Sequence, residues 1–258
     1  MSANAASRVA KLAMKRHHLT CFAAIAGVWM MTAASPVYAE PRAVLELFTS
    51  QGCSSCPAAD KLLGEFARDP SLVAISVPVD YWDYLGWKDT LANPRHSSRQ
   101  RNYARARGDR RVYTPQMVVN GAVHALGSDK AAIESAIAVS RSNNGTMSVP
   151  VTISVADGKL VVSVPSAKNG HGTVWLCPVT RSVPVKIARG ENRGRTITYH
   201  NVVRRWIKLG EWTGKAETWS RSVAEFKTGS VDKAAVIVQG GTGDKPGAIY
   251  GAAIASLH

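Results

Sequence analysis

A chain of 258 residues, 45% hydrophobic and without repeats or low-complexity stretches, is long enough to bury a sizeable core without covalent staples. Its four cysteines are too few for a disulfide-stapled scaffold. A net charge of +14 excludes an acidic partner-mimic and draws the chain towards anionic surfaces such as membrane headgroups.

The N-terminus reads as a secretory signal. Arg8, Lys11, Lys15 and Arg16 form a positive start, and Leu19 to Ala34 is apolar. That run is shorter than the ~20 residues a membrane-spanning helix needs. Val37-Tyr38-Ala39 offers small residues where a signal peptidase requires them, so cleavage is expected near Ala39. An uncleaved anchor is the rival reading. Cys21 would leave with the signal, and no lipidation box precedes it. Removing 39 residues from 258 leaves 219, with three cysteines and a net charge near +10. The expected location is periplasmic or extracellular, where disulfides persist. Nucleic acid is not an expected partner there, and no recognition motif supports one.

Ala43 to Phe48 reads as a strand and Pro57 to Arg68 as a helix. Between them stands Cys53-Ser54-Ser55-Cys56. Two cysteines two residues apart at a strand-to-helix junction make a reversible dithiol. Free N–H groups and the helix dipole favour a thiolate at the first cysteine, within a range of roughly 3.5–7.5 for such thiols. Cys53 is therefore the expected attacking thiol and Cys56 the resolving one. Ser54-Ser55 adds no positive charge, which argues for the reducing end of the roughly −270 to −120 mV range. The pair could instead stay permanently oxidised, or form half of a zinc site. Only Cys177 would remain as a further thiol, with no paired histidines beside it, so no metal ligand set is assigned.

Leu72 to Val79 suits a buried parallel strand. Asn93 is placed to cap a helix from Pro94 to Arg107. Gln116–Asn120 and Ala122–Leu126 flank Asn120-Gly121, a strong hairpin signal. Ser128 is the expected cap of a last helix, Asp129 to Ser140. Beyond Asn143 helical periodicity ceases. Short alternating runs follow at Val149–Val155, Leu160–Val164, Thr173–Val179, Val183–Ile187, Thr196–Val203, Trp219–Phe226 and Ala234–Val238. They suggest an all-β, sandwich-like C-terminal domain over 143–258 without a catalytic site.

The order strand, helix, strand, helix, hairpin, helix resembles the thioredoxin fold, which implies an α/β thioredoxin-like domain over 40–142. The resemblance is specific at Tyr113-Thr114-Pro115-Gln116. In thioredoxin-like proteins a cis proline begins the strand that faces the Cys-x-x-Cys, and the residue before it offers backbone hydrogen bonds to a substrate. That carries catalytic roles to Cys53, Cys56, Pro115 and Thr114. A closer resemblance rests on Phe48-Thr49-Ser50-Gln51-Gly52-Cys53-Ser54-Ser55-Cys56-Pro57 and on Val79-Asp80-Tyr81-Trp82-Asp83-Tyr84-Leu85-Gly86-Trp87. These stretches look like the secreted bacterial family of domain of unknown function 1223, which implies a thioredoxin-like fold with a C-terminal extension and no biochemical role.

Glu46 interrupts the first strand, where thioredoxins keep a proton-relaying carboxylate, but one residue further from the motif than in that family; it reads either as a proton relay or as a solvated or paired edge acid. Asp80 ends the second strand, either as a site residue at the edge where ligands gather on parallel sheets or as the cap of the turn that follows. Tyr81 and Trp82 are candidate substrate contacts, or aromatic packing over the site. The arginines between Arg95 and Arg111 read as a solvated helix face or an anion-facing patch. Three functions compete. The chain is an exported thiol–disulfide oxidoreductase-like protein acting on protein or small-molecule thiols and disulfides, with a redox partner protein and no cofactor. It is a binding or assembly module with a fixed disulfide. Or it is a dithiol metal-handling protein. A redox enzyme needs Cys53 exposed beside Thr114-Pro115; a binding module would bury or cover the pair; a metal carrier needs a third soft ligand near it.

Overall fold

The structure is a computed structural model that describes residues 40–142 and 145–257. The signal segment, its cleavage point and Cys21 lie outside the described residues. No described helix is long and apolar enough to cross a membrane.

The first half follows its sequence pattern closely. Strand β1 (Ala43–Thr49) leads through the cysteine loop into α1 (Cys56–Phe66) and returns as β2 (Leu72–Pro78), parallel to β1. Helix α2 (Pro94–Arg107) starts where Asn93 accepts from Arg95 N–H at 2.9 Å, with Pro94 needing no donor. It stops at Gly108, at φ 79°. Strands β3 (Gln116–Val119) and β4 (Val123–Leu126) form the expected hairpin, its turn residues Asn120 and Gly121 both at positive φ. Helix α3 (Lys130–Arg141) closes this half. Its cap is Asp129, one residue beyond the expected Ser128, because the carboxylate accepts from Ala132 N–H. The Thr114–Pro115 bond is cis, and Pro115 precedes β3.

The second half differs from the sandwich read from sequence. Its strands are β5 (Thr152–Ala156), β6 (Lys159–Val164), β7 (Gly172–Lys186), β8 (Thr196–Val203), β9 (Ile207–Trp212), β10 (Glu217–Ser222), β11 (Lys233–Gly241) and β12 (Pro246–Ser256). Five of them join the sheet of the first half, in the order β12-β11-β7-β8-β2-β1-β3-β4 with β9 beside β7. Only β10-β6-β5 form a separate small sheet. Thr173–Val179 and Val183–Ile187, read as two strands, are the two halves of β7. Its first half pairs with β11 and β9, its second with β8. The joint between the halves is narrow: Ser76 pairs with Val202, and Asn201 Nδ2 donates to Ala74 O at 2.9 Å.

Burial explains why these strands stay together. Alternate residues of β1 face opposite sides. Leu45 and Leu47 pack with Ala59, Leu63 and Ile133 from α1 and α3. Val44 and Phe48 pack with Tyr103 of α2 and with Cys177, Val179, Ala235, Ile237 and Ile249. The second cluster is one core drawn from both halves of the chain.

Candidate functional site

Strand β1 ends at Thr49, and the chain must turn at once to start α1. Cys53 N–H donates to Ser50 O and Cys56 N–H to Cys53 O, both at 3.2 Å, so 50–56 is two successive tight turns. The cysteines close into a disulfide with Cα atoms 5.4 Å apart. The helix begins at Cys56, so Cys53 sits three residues ahead of it, not at its first position. Pro57 falls within the first turn, as expected.

The loop is held from below. Gln51 N–H donates to Asp89 Oδ2 at 2.8 Å, and the Gln51 side chain accepts from Trp87 Nε1 at 2.8 Å. A Cβ at Gly52 would lie 3.0 Å from Trp82 Cβ and 3.3 Å from Trp82 O, so glycine lets the loop approach the Trp82 backbone. Trp82 in turn donates from Nε1 to Thr114 Oγ1 at 2.8 Å. Trp82 thus connects the cysteine loop with the Thr114-Pro115 segment. Tyr113 anchors that segment from the other side, its hydroxyl 2.8 Å from His124 Nδ1. Tyr84 stacks on Trp82 and is 77% exposed, which makes it the outer edge of the aromatic cluster. Tyr81 is half-buried, and burial pushes its hydroxyl up to about 12.

Glu46 does not face the cysteines' helix. It shares a side of β1 with Val44 and Phe48 and is fully buried. Arg99 binds it through two nitrogens at 2.6 and 2.9 Å, and the Tyr103 hydroxyl donates to it at 2.6 Å. Gln239 joins the same network, accepting from Arg99 at 2.9 Å and donating to Tyr103 at 2.8 Å. Arg99 also lies over the Trp206 ring, 3.8 Å from its centroid. Glu46 is therefore the paired acid of its second reading, half of a buried ion pair that ties α2 to both halves of the sheet. Asp80 is engaged by α2 as well: its carboxylate accepts from the Ser97 hydroxyl, and its N–H donates to Ser97 Oγ at 3.2 Å.

A different carboxyl lies on the cysteines' side. Asp60 is one helical turn after Cys56, a spacing that puts both on one face of α1. It is buried; Thr49 Oγ1 donates to Oδ2 at 3.1 Å, and Oδ1 has no hydrogen-bond partner among the described residues. Burial pushes Asp60 well above the carboxylate range, against the Thr49 bond and with help from the nearby Asp89. Burial raises Asp89 too, opposed by N–H groups of Gln51, Leu91 and Ala92. The fourfold spacing from Cys56 was a usable sequence signal for Asp60; nothing in the sequence marked Asp89.

The disulfide is covered. Cys53 is 2% exposed and Cys56 0%. The 187–195 loop between β7 and β8 is bound to the cysteine loop. Asn192 Nδ2 donates to Gln51 O and to Cys53 O, each at 2.9 Å, and Glu191 Oε2 accepts from Ser54 N–H at 3.1 Å. No signal in the sequence pointed to Asn192. Cys177 packs on β7 in the core with Phe48 and Tyr103, where burial pushes its thiol up. Among the described residues, no group of three or more metal-ligating side chains comes together.

Fold and site together define a mixed α/β protein with one large mixed sheet and a covered, disulfide-closed Cys-x-x-Cys loop at the end of a parallel strand. The chain belongs to the family described as "Protein of unknown function (DUF1223)", whose profile matches residues 44–239. It is similar to the crystal structure of protein AGR_C_4864 from Agrobacterium tumefaciens, at 32% identity and a TM-score of 0.76, covering 85% of this chain and 95% of that one. It also resembles HBP35 of Porphyromonas gingivalis, at 11% identity and a TM-score of 0.56, covering 84% of this chain and 76% of that one. The second likeness is one of fold alone. No curated protein matches.

Proposed function

We propose that this chain is an exported, thioredoxin-like thiol–disulfide exchange protein. The observation that carries the reading is the Cys53–Cys56 disulfide with the buried Asp60 carboxyl one helical turn from Cys56. A purely structural disulfide gains nothing from an ionisable group buried beside it, and burying a carboxyl with one oxygen unpartnered costs stability. Strongly shifted acids of this kind cluster at sites that move protons.

In the proposed exchange, a substrate thiolate attacks Cys53 Sγ. The Cys53–Cys56 bond breaks, and Cys56 leaves as a thiolate that needs a proton. Asp60 supplies it, taking the role the sequence suggested for Glu46. In the reverse direction the Cys53 thiolate attacks a substrate disulfide, and Cys56 resolves the mixed disulfide. In this reading Thr114, which accepts from Trp82 Nε1, and Pro115 border the approach to Cys53, and Tyr84 offers a substrate an exposed aromatic surface.

One observation favours a second reading. A pair exposed by 2% and 0% fits a fixed disulfide in a binding module. The two separate in a trapping experiment. Reduced Cys56→Ser protein, mixed with a disulfide-bearing polypeptide, is expected to accumulate a mixed disulfide through Cys53, and Cys53→Ser is expected to give none. If neither variant traps substrate and wild type catalyses no exchange, the fixed-disulfide reading holds.

A further inference from the structure

We propose that the 187–195 loop is a built-in seal that occupies the place of a substrate, latched by Asn192. From Ala188 to Arg195 every residue is exposed or half-exposed except Asn192, which is fully buried. The loop is rooted at its base by the buried Ile187, and Asn192 is the one polar side chain it sends inward. That side chain spends both amide hydrogens on the carbonyls of Gln51 and Cys53, within the cysteine loop. Its own oxygen accepts from Arg195 Nη1 at 2.9 Å, which fixes the amide's orientation. Glu191 takes the Ser54 N–H beside it. Gly190, at φ 75°, lets the loop lie against Trp87, 3.5 Å from the point where a Cβ would stand.

The Gln51 and Cys53 carbonyls and the Ser54 N–H are the polar edge that any molecule reaching Cys53 must meet. When the loop lifts, these groups pass to water, and a molecule that seats itself on Cys53 and displaces that water must pair them or bury them unpaired, which is costly. An incoming polypeptide restores them, because its own amides donate and its carbonyls accept. A small monothiol cannot do both. The substrate class is therefore a polypeptide disulfide or thiol that displaces the loop. This part rests on the exchange reading; the seal itself does not.

The test is the rate at which dithiothreitol reduces the native disulfide. A dithiothreitol thiolate attacks Cys53 Sγ and expels Cys56, which is protonated. The second dithiothreitol thiol closes its ring, releasing Cys53 as a thiol and oxidising the reagent. Asn192→Ala removes both donors. Asn192→Asp keeps the shape but sets a carboxylate against two carbonyls. Each is expected to raise the reduction rate by about tenfold or more, the effect of losing a hydrogen bond or two. A Ser154→Ala variant at an exposed position of β5 should leave the rate unchanged. Thermal melts decide whether folding is intact, and if Asn192→Ala fails to fold, the isosteric Asn192→Asp carries the test. Rates within twofold of wild type in a folded variant overturn the seal. Faster reduction by a variant that still exchanges with no polypeptide supports the seal and refutes the exchange function.

Discussion

At the residue scale, the sequence marked the cysteines and Thr114-Pro115 because their chemistry is rare and their spacing is local. It left Glu46 between a relay and a paired acid because a strand pattern does not say which helix lies on which face. Two substitutions test the corrected roles. Arg99→Ala leaves Glu46 buried without its cation, and removing one partner of a buried pair typically costs about 3–5 kcal/mol. Urea unfolding should show that loss, and Glu46→Leu with Arg99→Met should recover most of it; a loss below about 1 kcal/mol would mean the network is incidental. Asp60 gives a pH signature. Its carboxyl is raised in the fold above the ordinary 3.8, so the folded protein holds a proton that the unfolded chain releases. That contribution is complete below about pH 4 and is lost as pH rises towards the folded value. Asp60→Asn should gain stability on wild type progressively as pH rises above about 4. Parallel stabilities across that range would show that Asp60 ionises as readily in the fold as out of it.

At the element scale, the first half was legible because each element announces its own ends. Asn93-Pro94 opens α2, and Asn120-Gly121 sets the β3–β4 turn. Asn93→Ala should cost about 1 kcal/mol through the lost cap, read as a lowered denaturation midpoint with an unchanged m-value. The misses have physical causes as well. Strand β9 (Ile207–Trp212) carries Lys208, Gly210 and Glu211 among its six residues, and β12 is rich in glycine and alanine, so neither shows clean alternation. Strand β7 looked like two strands because Arg181 and Ser182 face solvent where the strand passes from one set of neighbours to the next.

At the scale of the whole molecule, the boundary read near Asn143 follows a real change of pattern from helical to stranded. Pattern reports each strand's faces but not its neighbours, and here the neighbours cross the boundary. Val44, Phe48 and Tyr103 share a core with Cys177, Val179 and Ile237, and β8 lies against β2. A chain ending at residue 142 would bare that face and is expected not to fold cooperatively. A sharp thermal transition in the truncated protein would show that the halves are independent. The latch belongs to the same logic, since Asn192 on one half closes the disulfide on the other. The account stands on that disulfide being exchangeable, and its reduction potential tests this most directly. Equilibrated with dithiothreitol or glutathione buffers, the Cys53–Cys56 pair is expected to titrate between roughly −270 and −120 mV, towards the reducing end. A potential below about −300 mV, typical of structural disulfides, would contradict the account.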